Sequence, residues 1–242
     1  MFLIGTVLFW IFFSVTMVVM FFPALLVWLV TLPFDRNKRL LHQYSCFWGS
    51  LYTWFNPFLK VEIKGKENLE KGKSYVYCAN HQSMMDIVIL YRLFLHFKWV
   101  SKKEIFKVPF LGWNMRLNNY LYLDRTSPSS QIKMMKDGEK LLNRGSSLMI
   151  FPEGTRSKDG RIGKFRDGAF ILSRKTGAAA VPVVIDGARD VFSDGTIMYR
   201  RVYRMTIQIL KPVEPDEAET PKALGRLVRS RIQEELGQSD DQ

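Results

Sequence analysis

Residues 1–34 contain no Asp, Glu, Lys or Arg. A run of that length without charge has no solvated face, so it cannot be an ordinary surface segment of a water-soluble domain. The chain is also poor in cysteine. Cys46 and Cys78 are its only two, which excludes a disulfide framework and a cysteine-built zinc site. Histidine is confined to His42, His81 and His96. No Gly-x-Ser-x-Gly elbow is present, which argues against a serine hydrolase. Gly160-Arg161-Ile162-Gly163-Lys164-Phe165 lacks the spacing and the hydroxyl of a phosphate-binding P-loop. With neither His-Glu-x-x-His nor Cys-x-x-Cys, no metal is expected. There is no internal repeat and no low-complexity tract.

All the charge lies in the remaining chain, 35 basic against 23 acidic residues in a protein of 242, for a formal net charge of +12. Such an excess favours anionic partners, nucleic acid or an acidic membrane face. The apolar run Phe2–Leu32 is long enough to cross a bilayer, for which about 20 residues suffice. It has no basic leading segment and no small-x-small cleavage site, so a signal peptide is not expected. Pro23 predicts a bend, in a spanning helix or in a segment that enters and leaves one membrane face. Arg36, Lys38 and Arg39 follow, which places that end and the body on the cytoplasmic side. Leu40, Leu41, Tyr44, Phe47, Trp48, Leu51, Tyr52 and Phe55 recur at helical spacing over Lys38–Asn56. That helix reads equally as core-packed or as lying in the membrane interface.

Beyond Pro57 short apolar runs alternate with helical patterns. Strands are expected at Val61–Lys64, Tyr75–Cys78, Lys98–Ser101, Tyr120–Leu123, Leu148–Phe151, Val181–Ile185 and Tyr203–Leu210. Helices are expected at Met84–Leu95, Lys103–Phe106, Ser129–Asn143, Asp167–Thr176 and Pro221–Leu236. The alternation predicts a single layered α/β domain with a mixed, largely parallel sheet flanked by helices, preceded by a hydrophobic N-terminal helical membrane anchor. The expected boundaries are 1–57 for the anchoring helices, 58–237 for the α/β domain and 238–242 for a polar tail.

Two strand ends carry chemistry. Tyr75–Cys78 runs into Ala79-Asn80-His81, and Asp86 follows five residues after the histidine. A strand end in an open α/β sheet is where ligands bind. A histidine there can take a proton from a hydroxyl, and a carboxylate can fix its tautomer. Ser83-x-x-Asp86 also resembles a capping box, in which Asp86 only stabilises a helix start. His42 and His96 have no carboxylate so placed and read as surface or packing residues. The second strand end is Phe151-Pro152-Glu153-Gly154-Thr155-Arg156. Gly154 permits close approach of the backbone, Thr155 offers a hydroxyl, and Arg156 a fork suited to phosphate. Glu153 could bind a hydroxyl or hold Arg156. Lys102 and Arg125 each follow an expected strand and could join a phosphate pocket, or be solvated surface charges.

Asn80-His81-x-x-x-x-Asp86 and Phe151-Pro152-Glu153-Gly154-Thr155-Arg156-Ser157 resemble motifs of the glycerolipid acyltransferase family, in its 1-acylglycerol-3-phosphate branch. So do Lys102-Lys103-Glu104 through Pro109-x-x-Gly112 to Leu123-Asp124-Arg125, and Phe165-x-x-Gly168 and Val181-Pro182-Val183. One departure is Asn118-Asn119-Tyr120, where family members often have a glycine. The resemblance implies acyl transfer from a thioester, acyl-CoA or acyl carrier protein, to the sn-2 hydroxyl of lysophosphatidic acid. It implies His81 as general base and Asp86 as its orienting group. Lys102, Arg125 and Arg156 would hold the acceptor phosphate, and Glu153, Gly154 and Thr155 the glycerol. No cofactor beyond the co-substrate is implied, and the partners are membrane lipid and the acyl donor. No stable protein partner is expected, and no recognition motif supports nucleic acid. Another lysophospholipid or glycerol 3-phosphate is the alternative acceptor, and a catalytically silent lipid-binding protein the remote one.

Overall fold

The computed structural model describes residues 2–157, 159–191 and 198–238. The apolar run forms helices α1 (Phe2–Val19) and α2 (Phe21–Thr31), interrupted at Met20. The interruption falls one turn before Pro23, for a physical reason. A proline removes the hydrogen bond to the carbonyl four residues back and crowds it, and four residues before Pro23 is Val19. Pro23 itself sits in the first turn of α2, where no donor is missed. One stripe of α1 lies on the body. Phe2 packs on Phe58 with ring centroids 5.0 Å apart, Phe9 meets Tyr52 and Tyr199, and Thr6 Oγ1 accepts the Tyr199 N–H. The opposite stripe, with Ile4, Leu8, Ile11 and Val15, is exposed.

Asp35, the first charged residue, caps α3 (Arg39–Trp54) by accepting the Arg39 and Leu40 N–H groups at 2.8 Å each. One face of this helix packs on the core, as the first reading expected. Leu41, Cys46, Trp48 and Tyr52 are buried, whereas Leu40, Phe47 and Trp54 are exposed.

The body follows in chain order. It comprises β1 (Leu59–Lys64), β2 (Val76–Ala79), α4 (Met85–Leu90), β3 (Phe97–Lys102), α5 (Leu111–Leu117) and β4 (Leu121–Leu123). Then come α6 (Pro128–Asn143), β5 (Ser147–Ile150), α7 (Gly168–Thr176), β6 (Ala180–Asp186), β7 (Tyr203–Ile209) and α8 (Pro221–Glu235). All seven expected strands are present, within two residues at each end. The helix expected over Met84–Leu95 stops early, giving way to a 3-10 turn at Tyr91–Leu93 that ends on left-handed Phe94. Lys103–Lys107 is likewise 3-10, and α5 was not anticipated. Ser127 and Thr220 cap α6 and α8 through their hydroxyls, each followed by proline. Gln238, assigned to the polar tail, is tied back instead. Its side chain bonds the Ile162 N–H and the Gly160 carbonyl. Residues 239–242 lie outside the described residues.

The seven strands form one sheet in the order β1-β7-β6-β2-β5-β3-β4, every neighbouring pair parallel except β6 with β7. The mixed, largely parallel expectation therefore holds. β2 is buried along its whole length, as expected of a parallel strand covered on both faces. Tyr75, Tyr77 and Ala79 face one core layer with Trp99, Ile89 and Leu90. Val76 and Cys78 face the other with Phe170, Leu172, Val228 and Ile232. Because β2, β5, β3 and β4 run parallel, their carboxyl ends share one sheet edge.

The departure at residues 118–120 has a conformational answer. Asn119 has φ 56°, the left-handed region that glycine enters freely and asparagine tolerates best among other residues. Nearby, Lys98 is wholly buried and donates to the Asn118 carbonyl at 2.8 Å. Burial pushes its ammonium down to about 7. His42 is a packing residue, held between the Tyr120 hydroxyl (2.7 Å) and the Leu95 carbonyl (2.9 Å), and burial holds its imidazole well below the usual range.

Candidate active site

β2 ends inside the sheet, and Asn80 continues its pairing with a side chain. The Asn80 amide donates to the Ile185 carbonyl (2.8 Å) and accepts the Ile185 N–H (2.7 Å). His81 comes next and is held through its backbone. Its N–H donates to Glu153 Oε1 (3.0 Å) and its carbonyl accepts the Ser157 N–H (2.8 Å). The two motif-bearing strand ends are thus hydrogen-bonded together.

The His81 Nδ1 lies 2.7 Å from Asp86 Oδ2, which also accepts the Gln82 and Ser83 N–H groups at 2.6 and 2.8 Å. The Met85 N–H donates to Ser83 Oγ. The capping and catalytic readings of Asp86 are therefore geometrically compatible, since one oxygen receives both the helix start and the imidazole. A carboxylate only accepts, so this contact selects the tautomer of a neutral imidazole that carries its proton on Nδ1 and leaves the Nε2 lone pair free. Asp86 is fully buried, and the His81 side chain is 16% exposed. The imidazole stacks on Phe151, with centroids 4.0 Å apart and planes 15° apart, and Phe151 stacks on Trp99. The ring plane is fixed from one face as well as from Nδ1.

His81 lines a cavity of about 600 Å³, a size suited to one elongated ligand. Of the residues predicted from sequence, Lys102, Arg125, Gly154, Thr155 and Arg156 line it too. Glu153 does not. Both its oxygens accept backbone N–H groups, from His81 and from Gly163 (2.9 Å), and burial pushes its carboxyl up. Glu153 therefore holds the His81 backbone in place.

Arg166 lines the cavity without having been anticipated. It lies inside the Phe165-x-x-Gly168 stretch, which was the one signal available. Gly154, at φ 74°, sits beneath two guanidiniums. A Cβ there would lie 2.9 Å from Arg166 Nε and 3.5 Å from Arg125 Cζ. Burial, then the neighbouring Arg166, pulls the Arg125 guanidinium below its usual range. Two cations drawn this close favour an anion between them. Most of the remaining wall is apolar, including Ile87, Val100, Ile105, Leu123 and Ile150, with Ser101 and Gln131 as polar exceptions.

Strand ends of a largely parallel sheet that converge on one polar crevice define the protein as an α/β fold with a ligand site at its carboxyl edge. The chain belongs to the Acyltransferase family, whose profile matches residues 60–186. It is 38% identical over 207 residues to a chloroplastic 1-acyl-sn-glycerol-3-phosphate acyltransferase of Arabidopsis thaliana, covering 85% of this chain and 57% of that one. The chain thus spans little more than half the length of that relative. A 1-acyl-sn-glycerol-3-phosphate acyltransferase of Pseudomonas aeruginosa is 31% identical over 198 residues, 81% of this chain and 75% of its own. The crystal structure of the 1-acyl-sn-glycerophosphate acyltransferase PlsC from Thermotoga maritima superposes with a TM-score of 0.79 at 24% identity. The match covers 100% of this chain and 98% of that one, and establishes the shared fold.

Proposed function

We propose that the protein transfers a fatty acyl group from a thioester to the sn-2 hydroxyl of 1-acylglycerol 3-phosphate, giving phosphatidic acid. The observation that carries this is the His81–Asp86 pair, set in the lining of a cavity that also holds four cations and several apolar side chains. The names of the relatives point to the same acceptor.

His81 Nε2 takes the proton of the acceptor hydroxyl as its oxygen attacks the thioester carbonyl. Asp86 stabilises the imidazolium that forms. The tetrahedral intermediate collapses with cleavage of the C–S bond, and His81 returns the proton to the departing thiolate. Lys102, Arg125, Arg156 and Arg166 hold the acceptor phosphate, with Gly154 allowing their approach and Thr155 at the rim. The α/β domain spans residues 58–237 and the anchor residues 1–57. The exposed stripes of α1, α2 and α3 sit in the membrane, with the body on the cytoplasmic face. Phe2 beside Phe58 favours an apolar run lying along the body in one leaflet over one that leaves it to cross the bilayer.

The test is full-length protein in detergent, with acyl-CoA and a panel of lysophosphatidic acid, other lysophospholipids and glycerol 3-phosphate. Lysophosphatidic acid is expected to be the preferred acceptor. His81→Ala is expected to lower turnover by about 100- to 10,000-fold with its unfolding temperature unchanged. Normal turnover by the folded variant would rule the mechanism out.

A further inference from the structure

A second concavity, of about 530 Å³, opens beside the edge strand β4. Its cations are Lys103, Lys107, Arg116, Lys133, Lys140 and Arg144, against the single carboxylate of Asp137. Some are already satisfied. Lys133 pairs with Asp137 at 2.7 Å, Lys103 with Asp124 at 3.4 Å, and Arg116 donates to the Phe106 carbonyl. No ion pair among the described residues engages Lys107, Lys140 or Arg144. Such a concentration of positive charge in one hollow repels itself and draws an anion of several charges.

The lining is not uniformly charged. Phe106 and Tyr122 meet edge to face at 5.8 Å, and Tyr122 is exposed. Phe106 is buried beneath it, so Tyr122 is the aromatic ring the groove offers among its cations. Such a ring suits a base attached to phosphates, because it can stack on the base while ammonium and guanidinium groups take the phosphates. The volume is that of a small-molecule site. The groove also adjoins the catalytic cavity. Met134 lines both, and the neighbours Lys102 and Lys103 line one each.

We infer that this groove binds the phosphorylated adenine nucleotide portion of a coenzyme A thioester, whose acyl end lies in the cavity at His81. The inference rests on the acyl-transfer reading and selects among its donors. A hollow of this size beside the exposed Tyr122 fits a nucleotide, whereas a folded carrier protein is too large to enter it. Lysophosphatidic acid is then left to the Arg125–Arg166 side of the cavity.

The experiment uses the full-length protein in detergent and the variant Lys107→Glu/Lys140→Glu, whose two sites have no ion pair to break. Calorimetric titration with adenosine 3′,5′-bisphosphate and with coenzyme A is expected to show binding to the parent, weakened about tenfold or more in the variant. The KM for acyl-CoA is expected to rise by a similar factor, with the acceptor KM and the unfolding temperature unchanged. The parent is expected to prefer acyl-CoA over its 3′-dephospho analogue, and the variant to lose that preference. Unchanged nucleotide affinity overturns the inference. So does a rise confined to the KM for acyl carrier protein, or a loss confined to binding of anionic vesicles. If the parent fails to acylate lysophosphatidic acid yet the variant alone loses nucleotide binding, the acyl-transfer reading falls and the groove assignment stands.

Discussion

At the scale of single residues, Asp86 does two jobs with one oxygen, and a substitution can separate them. Asparagine caps helices as well as aspartate, but it is neutral and cannot stabilise an imidazolium. Asp86→Asn keeps the accepting oxygen but sets its NH₂ in the buried, partnerless place of Oδ1. It is therefore expected to unfold a few degrees lower yet stay folded at assay temperature, while turnover falls by about 100-fold or more. Near-normal turnover would leave Asp86 as a cap alone. Glu153 calls for the opposite pattern. Glutamine can accept only one of the two backbone N–H groups and presents its own N–H₂ to the other. Such a buried, unmet donor costs about 1–3 kcal/mol. Glu153→Gln is expected to unfold at lower temperature, with kcat reduced through His81 and the acceptor KM little changed. A raised acceptor KM at unchanged stability would instead put Glu153 on the glycerol, as the family resemblance implied. The sequence alone could not decide this, because the partner of Glu153 is a backbone group on a distant strand end. The motif that contains His81 and Asp86 was legible because it is local, five residues apart at a strand end. Arg166 escaped notice because its approach to Arg125 depends on the turn at Gly154 rather than on spacing.

At the scale of elements, strands were read well because their apolar runs are bounded by turn residues. Helix α5 was missed because Leu111–Leu117 is short and carries Trp113 outward, which blurs its period. β3 holds the least expected feature, the ammonium of Lys98 in a strand interior. Its ordinary value is 10.5 and in the fold it is about 7. Across that interval the unfolded chain binds more protons than the folded one, so stability rises with pH. Thermal unfolding from about pH 7 to 8, below the ordinary thiol value of 9.0 at which Cys46 and Cys78 would titrate on unfolding, is expected to show this rise. Lys98→Met is expected to flatten it. An identical pH slope in both proteins would show that Lys98 is ionised in the fold at no cost.

At the scale of the whole molecule, the N-terminal helices proposed as the anchor are also part of the fold. The inner stripe of α1 covers Tyr52, Phe58 and Tyr199, so deleting the helices strips the body and would not test anchoring by itself. The outer stripe can be tested alone. Leu8→Glu/Ile11→Glu/Val15→Glu places charge on exposed positions, where hydrocarbon penalises each by about 2.5–3.5 kcal/mol. The variant is expected to leave the membrane fraction at high salt, yet to turn over detergent-dispersed substrate normally. Retention in the membrane at about 1 M salt, where surface electrostatics are screened, would show that this stripe does not face lipid. Sequence periodicity could not separate the two stripes, because both are apolar: one faces aromatic rings of the body and the other faces outward.

The two cysteines lend that question a practical instrument. Cys46 and Cys78 are both buried with no exposed surface, and burial pushes the Cys46 thiol up to about 12 and the Cys78 thiol higher still. Only thiolates react with maleimides, so the native chain is already silent to such reagents. A single cysteine placed at Ile4, at Val19 or at Val30 would be the sole reactive group in an otherwise unaltered protein. Its accessibility to membrane-impermeant and lipid-soluble labels, added from either side, would chart the depth and sidedness of the apolar run position by position.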